Sequence, residues 1–271
     1  MDSQERKNFI KQTFNTVAPG YDNPALCFFH KSAAQLPRYF SFRGDEHVLD
    51  AAAGTGMASL SMANVLPQGK VTAVDMSEGM LQQAKMKAKL QGLQNVEFVQ
   101  MDIETLDFPQ NQFDHVNCSF GLFFVEDMES LLKGLVDKLK PTGKFMSCCF
   151  SENSFQPHTE LFFNRIQKYG VEIPDSVGFA RLADEEKSSA LYKTANLKNI
   201  KTFRHDAGYT QKDANDWWDI VWYAGFRGFV EQLDETALKE FKREHLDEIN
   251  QLFDGNGIAF PVDVIFTLGE K

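Results

Sequence analysis

Residues Val48-Leu-Asp-Ala-Ala-Ala-Gly-Thr-Gly56 decide how the chain folds. Their apolar start and the acid Asp50 predict a buried strand, and the small residues that follow predict a tight turn. Residues 57–65 repeat apolar residues at helical spacing, so the turn leads into a helix. A glycine turn before a helix offers backbone amides to a ligand, and Gly54 and Gly56 have no Cβ to block its approach. A simple connection has the same local pattern, so the rest of the chain must decide between the two.

The composition narrows the class of protein. With 271 residues, 43% hydrophobic and 24% charged, the chain is long enough for one large α/β domain. A formal net charge of −10 disfavours a nucleic-acid partner, because a phosphate backbone attracts a basic surface. The four cysteines have neither metal-ligand nor disulfide spacing, and the sequence contains no signal-peptide pattern and no run of about 18 apolar residues. We therefore predict a cytoplasmic protein with no metal site and no membrane span, while the oligomeric state stays open.

The next predicted strand, residues 70–75, ends in a second acid. Asp75 lies 19 residues after Gly56, close to the spacing of about 20 at which a carboxylate binds the two hydroxyls of a ribose. The alternative is that Asp75 caps the following helix, although Ser77 is already placed for that role. The pair of features predicts an adenosine site at the carboxyl ends of the strands.

Strands and helical segments alternate along the first 150 residues. This pattern predicts a doubly wound, mostly parallel α/β sheet whose ligand loops lie at one edge. A single long helix is predicted at 24–40, and two later strands are predicted at 198–206 and 258–269. Pro261 must lie at a strand start or a bulge, because proline has no N–H to donate. The strands predicted in the alternating part are 48–50, 70–75, 95–100, 113–119 and 144–150.

Residues 48–150 resemble the class I S-adenosylmethionine-dependent methyltransferases. Within this class the chain is similar to the ubiquinone/menaquinone C-methyltransferase-like (methyltransferase type 11) small-molecule group, through Phe14-Asn-Thr-Val-Ala-Pro-Gly-Tyr-Asp22 and Ser119-Phe-Gly-Leu122. The resemblance implies a seven-stranded, mostly parallel Rossmann-like sheet with an antiparallel last strand and an α-helical cap. The motifs that carry the class resemblance are Val48–Gly56, Val74-Asp75-Met-Ser-Glu-Gly-Met-Leu81, Met101-Asp102-Ile103, Phe113-Asp114 and Leu139-Lys-Pro-Thr-Gly143.

The resemblance also implies how a single domain is organised. Residues 1–44 would form an N-terminal helical cap, and residues 45–150 the S-adenosylmethionine-binding core. Residues 151–197 would be a helical insertion over the active site. Residues 198–271 would supply the strands and helices that complete the sheet.

The resemblance implies S-adenosyl-L-methionine as cofactor and S-adenosyl-L-homocysteine as product. Asp50 and the glycine turn would hold the methionine part, Asp75 the ribose, and Asp102 the adenine amino group. Ala52 departs from the family, which usually has glycine there, and its methyl group is tolerable if φ is negative. The implied cofactor-binding residues are Tyr21, Asp50, Ala52, Gly54, Thr55, Gly56, Asp75, Met76, Met80, Asp102, Ile103, Ser119 and Phe120.

The catalytic and acceptor residues follow less directly from the sequence. A general base is needed only for a hydroxyl, a protonated amine or a carbon acid, and His30, His158 and His205 are the candidates, with Tyr21 behind them. Each histidine could equally be structural. The predicted acceptor is a small apolar or aromatic molecule, although core packing is the alternative interpretation of the same rings. The sequence leaves O-, N- and C-methylation open. The aromatic residues predicted to line the acceptor pocket are Phe28, Phe123, Phe124, Trp218 and Trp222.

Two other functions fit parts of the pattern. A nicotinamide-dependent oxidoreductase shares the fold, but this chain has Ser59 where the dinucleotide fingerprint has its third glycine, and that function has no use for Asp102. A protein that binds the cofactor without catalysis and acts as a scaffold would keep every cofactor motif, because a fold does not prove an activity. Both alternatives are open at this point.

Overall fold

The computed structural model describes residues 3–173 and 178–271, and its centre is a twisted sheet. Nine strands are found in these residues: β1 (His47–Ala51), β2 (Lys70–Asp75), β3 (Val96–Gln100), β4 (Phe113–Ser119), β5 (Leu139–Phe150), β6 (Lys198–Asp206), β7 (Tyr209–Gln211), β8 (Ile258–Phe260) and β9 (Asp263–Glu270). Seven of them form one sheet in the order β3-β2-β1-β4-β5-β9-β6. Strands β1 to β5 pair in parallel, and β9 runs antiparallel to both of its neighbours. The predicted seven-stranded sheet with an antiparallel last strand is confirmed.

Helices cover both faces of this sheet. They are α1 (Ser3–Val17), α2 (Cys27–Ala33), α3 (Leu36–Phe40), α4 (Met57–Ala63), α5 (Glu78–Leu90), α6 (Met128–Asp137), α7 (His158–Ile166), α8 (Glu185–Thr194), α9 (Ala214–Tyr223), α10 (Arg227–Val230) and α11 (Glu235–Asn250). Successive residues of β1 point to opposite faces. Val48 packs in the same core cluster as Met62 of α4, whereas Leu49 packs in the cluster that holds Leu132 of α6. Both faces of β1 are therefore buried, as expected for a doubly wound sheet.

Two predicted elements are divided in the structure. The single helix expected over 24–40 is a short 3-10 turn followed by α2 and α3. The single strand expected over 258–269 is split into β8, which pairs with β7 in a separate two-stranded sheet, and β9. Pro261 lies between β8 and β9, where the missing N–H removes no ladder hydrogen bond. β7 was not predicted at all, since three residues are too few to show a period.

The proposed division of the chain at residues 44, 150 and 197 stays a prediction. One buried cluster crosses all three points, because it contains Phe40, Val48, Phe162 and Trp217. The predicted cap and insertion thus share a core with the sheet. Residues 1, 2 and 174–177 of those segments lie outside the described residues.

Across residues 3–173 and 178–271, no helix is both long enough and apolar enough to cross a membrane.

Candidate active site

A cleft opens at the carboxyl ends of β1, β2, β3 and β4. The strand order reverses between β1 and β4, and ligands of doubly wound proteins bind at such a switch point. The cleft holds about 1110 Å³ of empty space, including its open mouth. Its walls are formed by Lys7, Ile10, Phe14, Tyr21, Phe29, Ala33, Asp50, Ala52, Ala53, Gly54, Thr55, Met57, Ala58, Asp75, Met76, Met80, Asp102, Ile103, Glu104, Ser119, Phe120, Gly121, Phe124 and Val125.

The glycine turn after β1 uses its two glycines differently. Gly54 has φ +55°, and a Cβ added there would meet nothing within 4 Å, so its backbone borders open space in the cleft. Gly56 has φ +81°, and a Cβ there would lie 2.9 Å from the Cβ of Ala84 on α5. Gly56 therefore allows the close packing of α4 against α5 and does not itself line the cleft.

Asp75 is held in a fixed orientation at the end of β2. Its Oδ2 accepts a hydrogen bond from the Gly54 N–H at 2.8 Å, and its Oδ1 accepts one from the Ser77 N–H, also at 2.8 Å. Burial raises the pKa of the Asp75 carboxyl, although these backbone hydrogen bonds oppose the shift. The Ser77 hydroxyl oxygen accepts from the Met80 N–H at 3.1 Å, so Ser77 is the helix cap, as the sequence predicted. The carboxylate of Asp75 is left facing the cleft.

Asp50 forms the polar floor of the cleft at the end of β1. It is 1% exposed and accepts hydrogen bonds from the hydroxyl of Ser59 and from Nδ2 of Asn117, the latter at 2.7 Å. The Ser119 hydroxyl donates to Oδ1 of Asn117 at 3.1 Å and extends this network to the end of β4. Burial raises the pKa of Asp50 to about 6. The floor is thus a fixed set of polar groups with one titratable member.

Helix α1 closes the end of the cleft at β3. Lys7, Ile10 and Phe14 share one face of α1 at the helical spacing i, i+3 and i+7, and all three line the cleft. Nζ of Lys7 lies 2.8 Å from Oδ2 of Asp102 and 2.9 Å from Oε1 of Glu104. Burial lowers the pKa of Lys7, but the hydrogen bonds to the two carboxylates outweigh it and the net pKa is raised. Lys7 was not among the residues predicted from the sequence, although its spacing from Ile10 and Phe14 was the signal.

Aromatic rings cover the cleft opposite the glycine turn. The ring of Tyr21 stacks on Phe29 with centroids 5.3 Å apart, and Phe29 meets the edge of Phe120 at 5.0 Å. Phe120 in turn stacks on Phe150 at 4.5 Å. The backbone of Phe120 has φ +56°, a conformation that costs energy for a bulky residue and is found mostly at functional sites. This wall can exclude water from a reacting group.

The strand ends around the cleft lie in a part of the chain that matches a known protein family. Residues 48–143 match a family model described as a methyltransferase domain. The chain is an S-adenosylmethionine-dependent methyltransferase. The matched residues run from the start of β1 into β5 and include the glycine turn, Asp75 and Asp102.

Curated relatives and solved structures extend the likeness over most of this methyltransferase. It is 28% identical over 226 residues to the ubiquinone/menaquinone biosynthesis C-methyltransferase UbiE of Cronobacter sakazakii, covering 76% of this chain and 89% of the relative. The YcgJ protein of Bacillus subtilis superposes with a TM-score of 0.60 at 21% identity, over 89% of this chain and 98% of that chain. Phosphoethanolamine N-methyltransferase 2 of Haemonchus contortus, solved with S-adenosyl-L-methionine, gives a TM-score of 0.55 at 16% identity, over 89% of this chain and 52% of that chain. The two structures bear on the fold only.

The structure brings the predicted cofactor residues together, with one exception. All of them line the cleft except Gly56, which packs behind the turn. The methyl group of Ala52 was expected to be tolerable only if φ is negative, but φ is +59°. Its methyl group fits because a Cβ at Gly121 would lie only 2.7 Å from the Ala52 Cβ, so the glycine there leaves the space. The binding roles themselves stay a prediction.

The predicted histidine base lies outside the cleft. Phe29 and Ala33 of α2 face the cleft. His30 follows Phe29 directly, so its side chain is rotated by about 100° around the helix axis and lies on the exposed side. His158 is buried in the core, where its Nε2 lies 3.1 Å from Oε1 of Gln211, and His205 lies on β6. None of these three histidines lines the cleft. Tyr21 does, and burial raises the pKa of its hydroxyl.

The aromatic residues predicted for the acceptor pocket separate into two groups. Phe124 lines the cleft. Phe28, Phe123 and Trp218 are 1%, 6% and 6% exposed and pack in the core, as the alternative interpretation held. Trp222 lies against the guanidinium of Arg227, with 3.4 Å between the ring centroid and Cζ. Aromatic content alone did not reveal which face of each element meets the cleft.

Proposed function

We propose that this methyltransferase binds S-adenosylmethionine in the cleft and transfers its methyl group to a small apolar or aromatic acceptor. The observation that carries the proposal is the carboxylate of Asp75, oriented by two backbone amides beside the open space in front of Gly54. A fixed pair of acceptor oxygens suits the two hydroxyls of a ribose. The two oxygens of Asp75 therefore fit the ribose of S-adenosylmethionine, the cofactor used by the family.

The other strand ends supply groups of the right chemistry for the rest of the cofactor. Met76 and Met80 present apolar surface for an adenine ring, and Asp102 and the Ile103 amide are polar groups beside it. Asp50, Ala52, Gly54 and Thr55 border the part of the cleft assigned to the methionine. Ser119, Phe120 and Tyr21 border the part assigned to the sulfonium. Gly56 would act indirectly, by allowing the turn to form.

The residues of the chain contribute alignment and exclusion of water. When bound, the cofactor would supply a methyl group on a positively charged sulfur: the acceptor would form a bond to the methyl carbon in line with the breaking C–S bond, and the sulfur would leave with the electron pair as S-adenosylhomocysteine. The rings of Phe29, Phe120 and Tyr21 exclude water from that end of the cleft. We assign no proton transfer to His30, because it lies on the exposed side of α2.

The walls of the cleft favour an apolar or aromatic acceptor. Five aromatic residues line it: Phe14, Tyr21, Phe29, Phe120 and Phe124. An acceptor against such a wall is bound mainly by burial of apolar area. The curated relatives are named for ubiquinone and menaquinone biosynthesis, so a quinol-type ring is the first acceptor to try.

The experiment is a methyl-transfer assay with radiolabelled S-adenosylmethionine and an acceptor panel. The panel contains a short-chain benzoquinol, a simple phenol and phosphoethanolamine as a polar control. We expect label in a ring-containing acceptor and none in phosphoethanolamine. Transfer to phosphoethanolamine alone would contradict the proposed acceptor class.

A matched pair of variants tests the cofactor assignment. Asp75→Asn should weaken binding of S-adenosylhomocysteine by about 1–3 kcal/mol, or roughly 5- to 150-fold, because charge-assisted hydrogen bonds are lost. Asp114→Asn is the control, since Oδ2 of Asp114 also accepts a backbone N–H, that of His47, but Asp114 does not line the cleft. Equal affinities in calorimetry for the two variants would remove the ribose role from Asp75.

A further inference from the structure

The segment that carries Tyr21 is held from behind by helix α9. Gly20 packs against the ring of Tyr223, since an added Cβ would lie 2.0 Å from its Cδ1. Nδ2 of Asn23 donates to Oδ2 of Asp219 at 3.0 Å. The residues on both sides of Tyr21 are thus fixed to α9, which does not line the cleft.

On its inner side the same segment is held by Asp22. Oδ1 of Asp22 accepts a hydrogen bond from the Thr55 hydroxyl at 2.7 Å, and Oδ2 lies 2.7 Å from Nζ of Lys87. Thr55 is 2% exposed and lies between the two glycines of the turn, and Lys87 belongs to α5. One carboxylate therefore joins the Tyr21 segment, the glycine turn and α5.

The ion pair is sheltered from solvent. The side chains of Lys87 and Asp22 are 22% and 30% exposed. Removing one partner of a sheltered pair leaves the other charge without compensation, which costs more than losing a surface pair. Stability alone does not require the pair, because apolar residues often serve equally well in such places. What an apolar pair could not supply is the second oxygen of Asp22, which holds Thr55.

Tyr21 itself is free to contact a ligand. Its ring stacks on Phe29 and meets the edge of Phe14, and it lines the cleft. Among the described residues, no hydrogen bond to its hydroxyl is found. The position of Tyr21 over the cleft is thus set by ring packing and by its neighbour Asp22.

We propose that Asp22 is a positioning residue, which through Thr55 and Lys87 fixes Tyr21 over the cofactor and couples it to the glycine turn. The inference rests on the proposed function. Asp22 touches neither the cleft nor a reacting atom, so it acts through Tyr21. Loss of its charge should loosen Tyr21 while the cleft keeps its other walls.

A double-mutant cycle separates positioning from a merely structural role. Dissociation constants for S-adenosylhomocysteine are measured by calorimetry for the wild type, Asp22→Asn, Tyr21→Ala and the double variant. We expect Asp22→Asn to weaken binding on the order of tenfold, about 1.4 kcal/mol, and to add little once Tyr21 is already absent. Additive effects of the two changes, or unaltered affinity in Asp22→Asn, would overturn the proposal.

Variants of lysine and threonine guard against misfolding of Asp22→Asn. Lys87→Met should reproduce the loss of affinity, whereas Lys89→Met, at an exposed lysine of the same helix, should not. Thr55→Ser, which keeps the hydroxyl donor to Asp22, should bind S-adenosylhomocysteine more tightly than Thr55→Val, which removes it. A wild-type chain without affinity for S-adenosylhomocysteine would refute the proposed function. If the wild type binds S-adenosylhomocysteine and both Lys87→Met and Thr55→Val keep its affinity, only the role of Asp22 is refuted.

Discussion

Two regions of the molecule use buried groups in opposite ways. The cleft region, residues 7–125, supplies every residue that lines the cleft. The aromatic region, residues 155–260, fills its interior with rings, such as Phe162 packed edge-on to Phe241 and to Trp217. The first region leaves space and holds carboxylates in place, whereas the described part of the second packs its rings against one another.

The two regions also differ in how many of their buried polar groups have hydrogen-bond partners. Asp50 and Asp75 have their hydrogen bonds satisfied by amides and hydroxyls around the cleft. Four buried side-chain atoms lack a hydrogen-bond partner among the described residues: Nζ of Lys87 in the cleft region, which is ion-paired with Asp22, and Nδ1 of His158, Nε2 of Gln211 and Nδ1 of His245 in the aromatic region. We infer that the packed rings of the aromatic region supply stability, and that the cleft region holds its polar groups in place for binding.

Truncating Trp217 should have the largest effect and should change stability only. Trp217 is fully buried, and its Nε1 donates to Nε2 of His245 at 2.7 Å. Trp217→Ala should lower the free energy of unfolding by about 3–5 kcal/mol, through lost burial and the space left behind. Denaturant titration measures this loss. Trp222→Ala, at a partly exposed ring, is the control and should cost less.

The affinity of folded Trp217→Ala for S-adenosylhomocysteine should equal that of the wild type. A large loss of affinity at a temperature where the variant is folded would break the separation of the two regions.

Part of the pH dependence of stability should come from His245 in the aromatic region. Burial lowers the pKa of His245 to about 4, below its unfolded value of about 6.5, so the unfolded chain binds more protons between these values. His245 therefore contributes stability that is present above pH 6.5 and is lost as the pH falls toward 4. His245→Gln, which keeps an acceptor for Trp217, should reduce this slope by up to about 1.4 kcal/mol per pH unit. Unfolding titrations from pH 7 to 4 would show an unchanged slope if the idea were wrong.

Asp50 should act with the opposite sign from the cleft region. Its folded pKa of about 6 lies above the ordinary value for aspartate, about 3.9, so folding is favoured as the pH falls through 6. Asp50→Asn should remove this contribution and make the chain more sensitive to acid than the wild type. The same unfolding titrations measure it, and a flatter profile in Asp50→Asn would contradict the assigned sign.

Ala52→Gly should have the smallest effect. Glycine relieves the left-handed backbone conformation at this position, which favours the folded state, but it also gives the unfolded chain more freedom. The two effects oppose each other, so the free energy of unfolding should change by less than about 1 kcal/mol. Thermal unfolding checks this. A loss of several kcal/mol would mean that the Ala52 methyl group makes a contact that the turn needs.

The sequence predicted what depends on local order along the chain. Acids at or just past the carboxyl ends of strands meet at one edge of a parallel sheet, so the positions of Asp50, Asp75 and Asp102 along the sequence were enough to place them together. The ion pair of Lys7 with Asp102 joins residues 95 positions apart, and no local pattern reports it.

The orientation of aromatic residues was equally hidden. Phe28 and Phe29 are adjacent, yet Phe28 is 1% exposed in the core and Phe29 lines the cleft. Their faces are set by how α2 packs on α4 and on the sheet, which is a tertiary property. The same holds for Trp218, whose helix turns its ring into the core.

Calorimetric titration of the purified chain measures directly whether the cleft is a site for S-adenosylmethionine. S-adenosylhomocysteine and NAD are titrated separately under the same conditions. We expect micromolar or tighter binding of S-adenosylhomocysteine and no binding of NAD. Binding of NAD alone, or of neither compound, would contradict this assignment.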